Sequence, residues 1–150
     1  MEKSISRILA EFSYALRYED LSQDSIFAAK RFLFDSLGCA YGAVNTKDVK
    51  IMRSFLFSIG GSPHSSVIGL SRKLPAPNAA LLNSLMVRSL DFNDIYWKQD
   101  PVHPSDLIPA VLACAELSKS SMREVISGIV AVYEIEQRLA EFATPGIRER

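Results

Sequence analysis

An all-α fold, a bundle of about six helices, is what this sequence predicts, and three observations predict it. Apolar residues recur at the 3.6-residue helical period along almost the whole chain. Only one short run, residues 65–68 with β-branched Val67 and Ile68, reads as a strand. The 150 residues are 48% apolar and 23% charged. A chain of that size buries roughly 70% of its unfolded surface and builds a core without disulfides or metal.

Ile5, Ile8, Leu9, Phe12 and Leu16 place an amphipathic helix over the first 17 residues. The chain restarts at Leu21-Ser22. In residues 22–41, Ile26, Ala29, Leu33, Leu37 and Ala40 form one stripe and Phe27, Phe34 and Tyr41 a second, so this helix is expected to be apolar on two sides and central. Val49, Met52, Phe55, Leu56 and Ile59 mark a third helix, stopped by Gly60-Gly61-Ser62-Pro63. After the loop Leu74-Pro75-Ala76-Pro77, residues 78–90 carry apolar side chains around most of the circumference, as a buried helix does. Pro109 fits only the first turn of the next helix, which places Asp106 as its N-cap and its end near Leu117. Ser121-Met122-Arg123-Glu124 is a capping box, and Val125, Ile129, Val132, Tyr133 and Leu139 carry the last helix to Phe142, with Thr144-Pro145-Gly146 stopping it.

Charge is balanced, with 17 basic and 17 acidic side chains, so the chain lacks the basic footprint of a nucleic-acid binder. The longest strongly apolar stretch, residues 107–115, is short of the about 18 residues a membrane span needs. Cys39 and Cys114 lie far apart without Cys-x-x-Cys spacing, which fits a reducing cytoplasm. Phosphate-loop and nucleophile-elbow motifs are absent, as are the His-x-x-x-His or cysteine pairs of a zinc site, so no metal site is expected.

Residues 91–105, polar and aromatic between two apolar helices, are the segment whose composition is wrong for packing alone. Asp91 and Asp94 stand at or just past a helix C-terminus, where the helix dipole is expected to raise a carboxyl's pKa toward the range useful for proton transfer. The competing reading is that Asp and Asn simply favour that turn. His103, held out of the helical region by Pro104, precedes a helix start whose free amides at Ser105, Asp106 and Leu107 attract anions; it reads equally as a surface imidazole before a cap. Arg88 complements the helix dipole, His64 reads as solvated, and Glu134, Glu136 and Glu141 as a solvated face with Arg138. Tyr96 and Trp97 line a pocket or fill core.

The string Leu90-Asp91-Phe92-Asn93-Asp94-Ile95-Tyr96-Trp97, followed by His103-Pro104-Ser105-Asp106, resembles the signature loop of the MmgE/PrpD family, which includes 2-methylcitrate dehydratase and cis-aconitate decarboxylase. Arg31-Phe32-Leu33-Phe34-Asp35-Ser36-Leu37-Gly38-Cys39-Ala40-Tyr41-Gly42 is similar to that family's second helix. Ala76-Pro77-Asn78-Ala79-Ala80-Leu81-Leu82-Asn83-Ser84 is similar to its buried helix, and Tyr133-Glu134-Ile135-Glu136-Gln137-Arg138-Leu139 to the helix that follows.

The resemblance implies a cofactor-independent lyase acting on small di- or tricarboxylates. It implies a large all-helical domain, a smaller α+β domain and a homodimer. By matched position, Asp91 and His103 are the implied catalytic carboxylate and imidazole. Asp94 lies nearby; with it Arg88 and Lys98, as cations, and Ser105, at the helix start, are the expected substrate contacts. Two positions depart from the family pattern: Ile95 stands where Thr is common, and Leu107 where Asn is common. Family members continue beyond the position matching Arg150, so residues 1–150 are expected to be the N-terminal part of the helical domain, without the smaller domain. A desolvated polycarboxylate needs more cations than Arg88 and Lys98 supply. Activity is therefore expected to need a complementing C-terminal chain; the alternative is a nonenzymatic helical module for dimerisation or partner binding.

Overall fold

The computed structural model describes residues 3–98 and 100–142. Among them are six α-helices: α1 (Ile5–Ala15), α2 (Gln23–Ala43), α3 (Lys47–Ile59), α4 (Ala76–Arg88), α5 (Ile108–Ser118) and α6 (Met122–Phe142). Two antiparallel strand pairs of two residues each, β1 (Ser65–Ser66) with β2 (Lys73–Leu74) and β3 (Tyr96–Trp97) with β4 (Pro101–Val102), complete the regular structure with 3₁₀ turns at Tyr18–Asp20 and Pro104–Leu107. The all-α expectation holds. The strand expected over residues 65–68 is reduced to Ser65–Ser66, paired with Lys73–Leu74, and the β-branched Val67 and Ile68 lie outside it. No helix among the described residues is long and apolar enough to cross a membrane.

Local chemistry sets the helix starts. Ser4 and Ser22 cap α1 and α2, their side-chain oxygens accepting from Arg7 N and Ser25 N. At α6 the Ser121 N–H donates to Glu124 Oε2 at 2.7 Å and Glu124 N–H to Ser121 Oγ at 3.4 Å, the reciprocal box read from the sequence. Two starts differ from expectation. Helix α4 begins at Ala76 because Pro77 fits its first turn and needs no hydrogen-bond partner there. Asp106 is not an N-cap: it lies inside the 3₁₀ turn, and α5 starts at Ile108 with Pro109 in its first turn. The expected stop at Thr144-Pro145-Gly146 lies outside the described residues.

Helix α4 is the centre of the molecule, packed mainly on α5 and α2. Ala79, Leu82, Met86 and Val87 join Ala40 and Ala43 of α2, Val49 and Leu56 of α3, and Val67 and Leu74 in one core. A second core joins Ile26 and Ala29 of α2 to Ile108 and to Val125, Ile126, Ile129 and Tyr133 of α6. Asn83 staples the two-strand segment to α4: its Oδ1 accepts from Ile68 N–H and its Nδ2 donates to Ser66 O. The buried reading of α4 is right apart from Leu81, which is half exposed.

The reading of α2 as apolar on two covered sides is corrected. Its first stripe is covered, with Ile26, Ala29 and Ala40 buried and Leu33 and Leu37 half-buried, but Phe27, Phe34 and Tyr41 are 68%, 81% and 62% exposed. Helix α1 likewise buries no residue. Amphipathic period alone identifies an apolar stripe, not the surface that covers it.

Candidate active site

The segment between α4 and α5 folds back on itself. Tyr96 faces Val102 and Trp97 faces Pro101 across a short antiparallel ladder, so the residues flanking it, Asp94 and His103, meet at its base. The imidazole Nδ1 of His103 lies 2.6 Å from the backbone oxygen of Asp94. That oxygen only accepts, so the proton is on Nδ1 and the lone pair of the neutral ring on Nε2. His103 itself has φ −122° and ψ 80°, outside the helical region as the following proline requires.

The Asp94 carboxylate is held from two directions. Its Oδ1 accepts from Ser105 N–H at 3.1 Å, and its Oδ2 accepts from the hydroxyl of Tyr133 on α6 at 2.8 Å. The Tyr133 ring is stacked on Phe32 and nearly buried, so the hydroxyl is aimed by packing. Burial, followed by the neighbouring Asp94 carboxylate, pushes the Tyr133 hydroxyl far above its ordinary pKa and keeps it a donor. Asn93 closes the turn from inside, donating from Nδ2 to Ser105 Oγ at 2.9 Å and to Asp106 Oδ1 at 3.0 Å.

These bonds change three expectations. The amides before α5 are not waiting for a ligand: Ser105 N–H is taken by Asp94, and Asp106 N–H donates to His103 O. Ser105, 1% exposed, is a strut inside the loop and has no surface for substrate. The Asp106 carboxyl is half-buried; burial raises its pKa, opposed by the charges of His103 and Arg88.

Asp91 is the third correction. It follows α4 with φ +55°, a left-handed conformation that Asp tolerates better than most residues. The expected rise in its pKa does not occur. The Arg88 guanidinium donates to Asp91 Oδ1 and holds the carboxyl below its ordinary range, overriding the helix dipole. Arg88 also approaches Asp106, with its Nε 4.0 Å from Oδ2. Asp91 is exposed and paired to Arg88, whereas the hydrogen-bonded cluster is built on Asp94, His103 and Ser105.

Lys98 is at the hairpin tip, its Nζ 2.8 Å from Glu141 Oε2, and the Tyr96 hydroxyl donates to the other oxygen of Glu141. Glu141 is thus a tether rather than part of a solvated face. The Glu134–Arg138 pair does lie on that face. Glu136 does not: its Oε2 is buried without a hydrogen-bond partner among the described residues, as is Asn93 Oδ1. Burial first, then the charges of Asp106 and Asp94, raise the Glu136 pKa. Ile95 and Leu107, the two departures, are both exposed, and Trp97 is 71% exposed rather than filling core. Among the described residues no group of three or more His, Cys, Asp or Glu side chains converges as metal ligands.

Sequence reading missed Tyr133, Asn93 and Glu136 as parts of this cluster. The available signal was a tyrosine with a hydroxyl to satisfy inside the apolar stripe of α6, and a glutamate one turn further on the same side. Chemically, the arrangement presents one imidazole nitrogen, Nε2 of His103, with no hydrogen bond among the described residues, and an ionised, exposed Asp91 carboxylate that feels the charge of His103. Those are the parts of a proton-transfer site.

Comparison with known proteins bears on these residues. A family model described as the MmgE/PrpD N-terminal domain matches residues 7–149. The chain is 30% identical over 138 residues to a 2-methylcitrate dehydratase of Salmonella typhi, covering 85% of this chain and 29% of that protein. It is 28% identical over 159 residues to a 2-methylcitrate dehydratase of Escherichia coli K12, covering 93% and 33%. It is 26% identical over 149 residues to a cis-aconitate decarboxylase of Mus musculus, covering 95% and 30%. The chain thus spans about a third or less of the length of these relatives.

Proposed function

The chain belongs to the MmgE/PrpD family, and from that membership we propose that it forms part of a cofactor-independent lyase site for small di- or tricarboxylates. The names of its relatives, 2-methylcitrate dehydratase and cis-aconitate decarboxylase, support such a substrate class. In this reading Asp91 and His103 exchange the protons of the reaction. Removal of water needs one group to take a proton and another to protonate the departing hydroxyl. Asp91, kept ionised by Arg88, is in the charge state of a base, and His103 protonates the departing hydroxyl from Nε2 of its imidazolium form, which leaves the neutral ring with its proton on Nδ1. Asp94 and Ser105 hold the loop, while Arg88 and Lys98, paired to Asp91 and Glu141, meet an incoming carboxylate only by giving up those partners. The observation that carries the proposal is the hairpin that folds Asp94 and His103 together and leaves Nε2 unbonded among the described residues.

Arg88 is committed to Asp91 and Asp106, and Lys98 to Glu141, so the chain by itself offers few cations to a desolvated polycarboxylate. We therefore assign activity to an assembly with a complementing chain that supplies further cations. Turnover of 2-methylcitrate and cis-aconitate is to be measured for the 150 residues alone and for the complemented enzyme. The chain alone is expected to be inert. In the active enzyme Asp91→Asn and His103→Ala are each expected to lower turnover by roughly 10²-fold or more. Near-normal turnover in both variants would overturn the site.

The uncovered stripes of α1 and α2 favour a second, compatible reading, in which the chain is a dimerisation or partner-binding module. Self-association without turnover in any complemented assembly would select it.

A further inference from the structure

We propose that Tyr133 and Asp94 are positioning residues that lock His103 in the tautomer with Nδ1 protonated and Nε2 free. The proposal rests on the preceding one only for its catalytic consequence, because the tautomer is observable without turnover.

The bonds that lead to this form a chain across two elements. The Tyr133 hydroxyl, on α6, donates to Asp94 Oδ2 at 2.8 Å. Ser105 N–H, two residues beyond His103, donates to Oδ1 of the same carboxylate at 3.1 Å. With both oxygens taken, Asp94 has no freedom to swing. Its backbone oxygen, 2.6 Å from His103 Nδ1, is then a fixed acceptor.

A solvated histidine side chain prefers the other tautomer, with the proton on Nε2. A proton on Nε2 here would set the Nδ1 lone pair against a carbonyl oxygen at hydrogen-bond distance and lose that bond, so the clamp selects Nδ1–H. Other ionisable groups interact with this cluster without entering the bond chain. Glu136 of α6 and Asp35 of α2 act on Tyr133 through charge alone, and Asp106 is bonded to Asn93. The direction of control is therefore from α6 to the imidazole: the buried, stacked Tyr133 ring fixes its hydroxyl, the hydroxyl fixes Asp94, and Asp94 fixes which nitrogen of His103 is available to a substrate. In the proton-transfer reading, the carbonyl keeps a proton on Nδ1 throughout, so the proton that the imidazolium gives up is the one on Nε2.

The test is ¹⁵N NMR of the histidine rings in the 150-residue chain, at a pH where the imidazoles are neutral. The chain has two histidines, and the exposed His64 serves as an internal solvated reference, assigned with His64→Gln. His103 is expected to show a pyrrole-type Nδ1 and a pyridine-type Nε2, and His64 the opposite preference. Tyr133→Phe retains the ring and its stacking on Phe32 but removes the donor. It is expected to move both His103 nitrogens toward the His64 pattern, with the helical circular dichroism retained. Should Tyr133→Phe not fold, Asp94→Asn replaces it: one amide oxygen cannot serve both donors as the two carboxylate oxygens do, and the same shift is expected. A wild-type His103 protonated on Nε2 would overturn the proposal, as would unchanged shifts in the variant that folds. If the tautomer behaves as stated but His103→Ala retains turnover in the complemented enzyme, the catalytic reading fails and the positioning role stands. Loss of turnover in His103→Ala with a wild-type ring protonated on Nε2 is the reverse case.

Discussion

At the scale of single residues, neighbours rather than position along a helix decide protonation. Asp91 follows the C-terminus of α4, where the helix dipole disfavours a carboxylate, yet its carboxyl is held below the ordinary range because the Arg88 guanidinium bonds it directly. Glu136 shows the opposite balance. Its Oε2 is buried without a hydrogen bond among the described residues, and burial followed by Asp106 and Asp94 raises its pKa. A raised carboxyl holds its proton more tightly in the folded state than in the unfolded one. Its contribution to stability is therefore fully present below the usual value of 4.5 and is lost as pH rises through the higher folded value. Glu136→Gln is expected to remove that loss and raise the unfolding free energy by about 1 kcal/mol near pH 7, with little effect near pH 3. Denaturant titrations at the two pH values measure it, and a variant less stable than the parent at pH 7 would refute this account of Glu136.

Whole elements are held by different terms. The start of α6 depends on the reciprocal Ser121–Glu124 pair, a local device that sequence spacing reveals at once. Ser121→Ala is expected to cost about 1 kcal/mol, read as a lower denaturation midpoint at unchanged slope. The segment between α3 and α4 is tied to α5 by Ser65 and Ser66, which donate to Ala113 O and Glu116, and to α4 by one buried side chain. Asn83 is 3% exposed and satisfies the Ile68 N–H and the Ser66 carbonyl. Asn83→Leu is nearly isosteric but orphans both backbone groups, and about 2 kcal/mol or more of destabilisation is expected. Faster amide exchange at Ile68 than in the parent would place the loss there; protection equal to the parent's would count against it. Gly61, with φ +112° and the side chain of Pro75 2.6 Å from where a Cβ would stand, is where the chain turns between these elements, a conformation only glycine adopts without strain.

Over the whole molecule, α2 contributes to both cores, joined by α4 in the first and by α6 in the second, while outward-facing apolar side chains stay uncovered on α1 and α2. Ile5 and Ile8 of α1 are more than half exposed, as are Phe27, Phe34 and Tyr41 of α2. Large exposed apolar patches mark interaction surfaces. The purified chain is expected to associate, with a sedimentation-average mass that rises with concentration above the 16.6 kDa of one chain. Phe34→Glu is expected to weaken that association without loss of helix content, because the ring takes no part in either core. A monomer at every concentration tested would remove the basis for an uncovered interface.

The sequence by itself determined the helical class, the helix starts to within a few residues, the capping box of α6, the burial of α4 and the loop that holds the candidate site. All of these rest on contacts three or four residues apart or on the backbone demands of proline and glycine, which are written locally. The tertiary structure alone decided that Asp94 rather than Asp91 meets His103, that Ser105 is a strut, that Glu136 is buried, and which stripe of α2 is covered. Tyr133 reaches Asp94 across 39 positions, and Ser84 reaches the Asp106 carbonyl across 22. Such pairs depend on how helices cross, and the 3.6-residue period says which face of a helix is apolar without saying what will be laid against it.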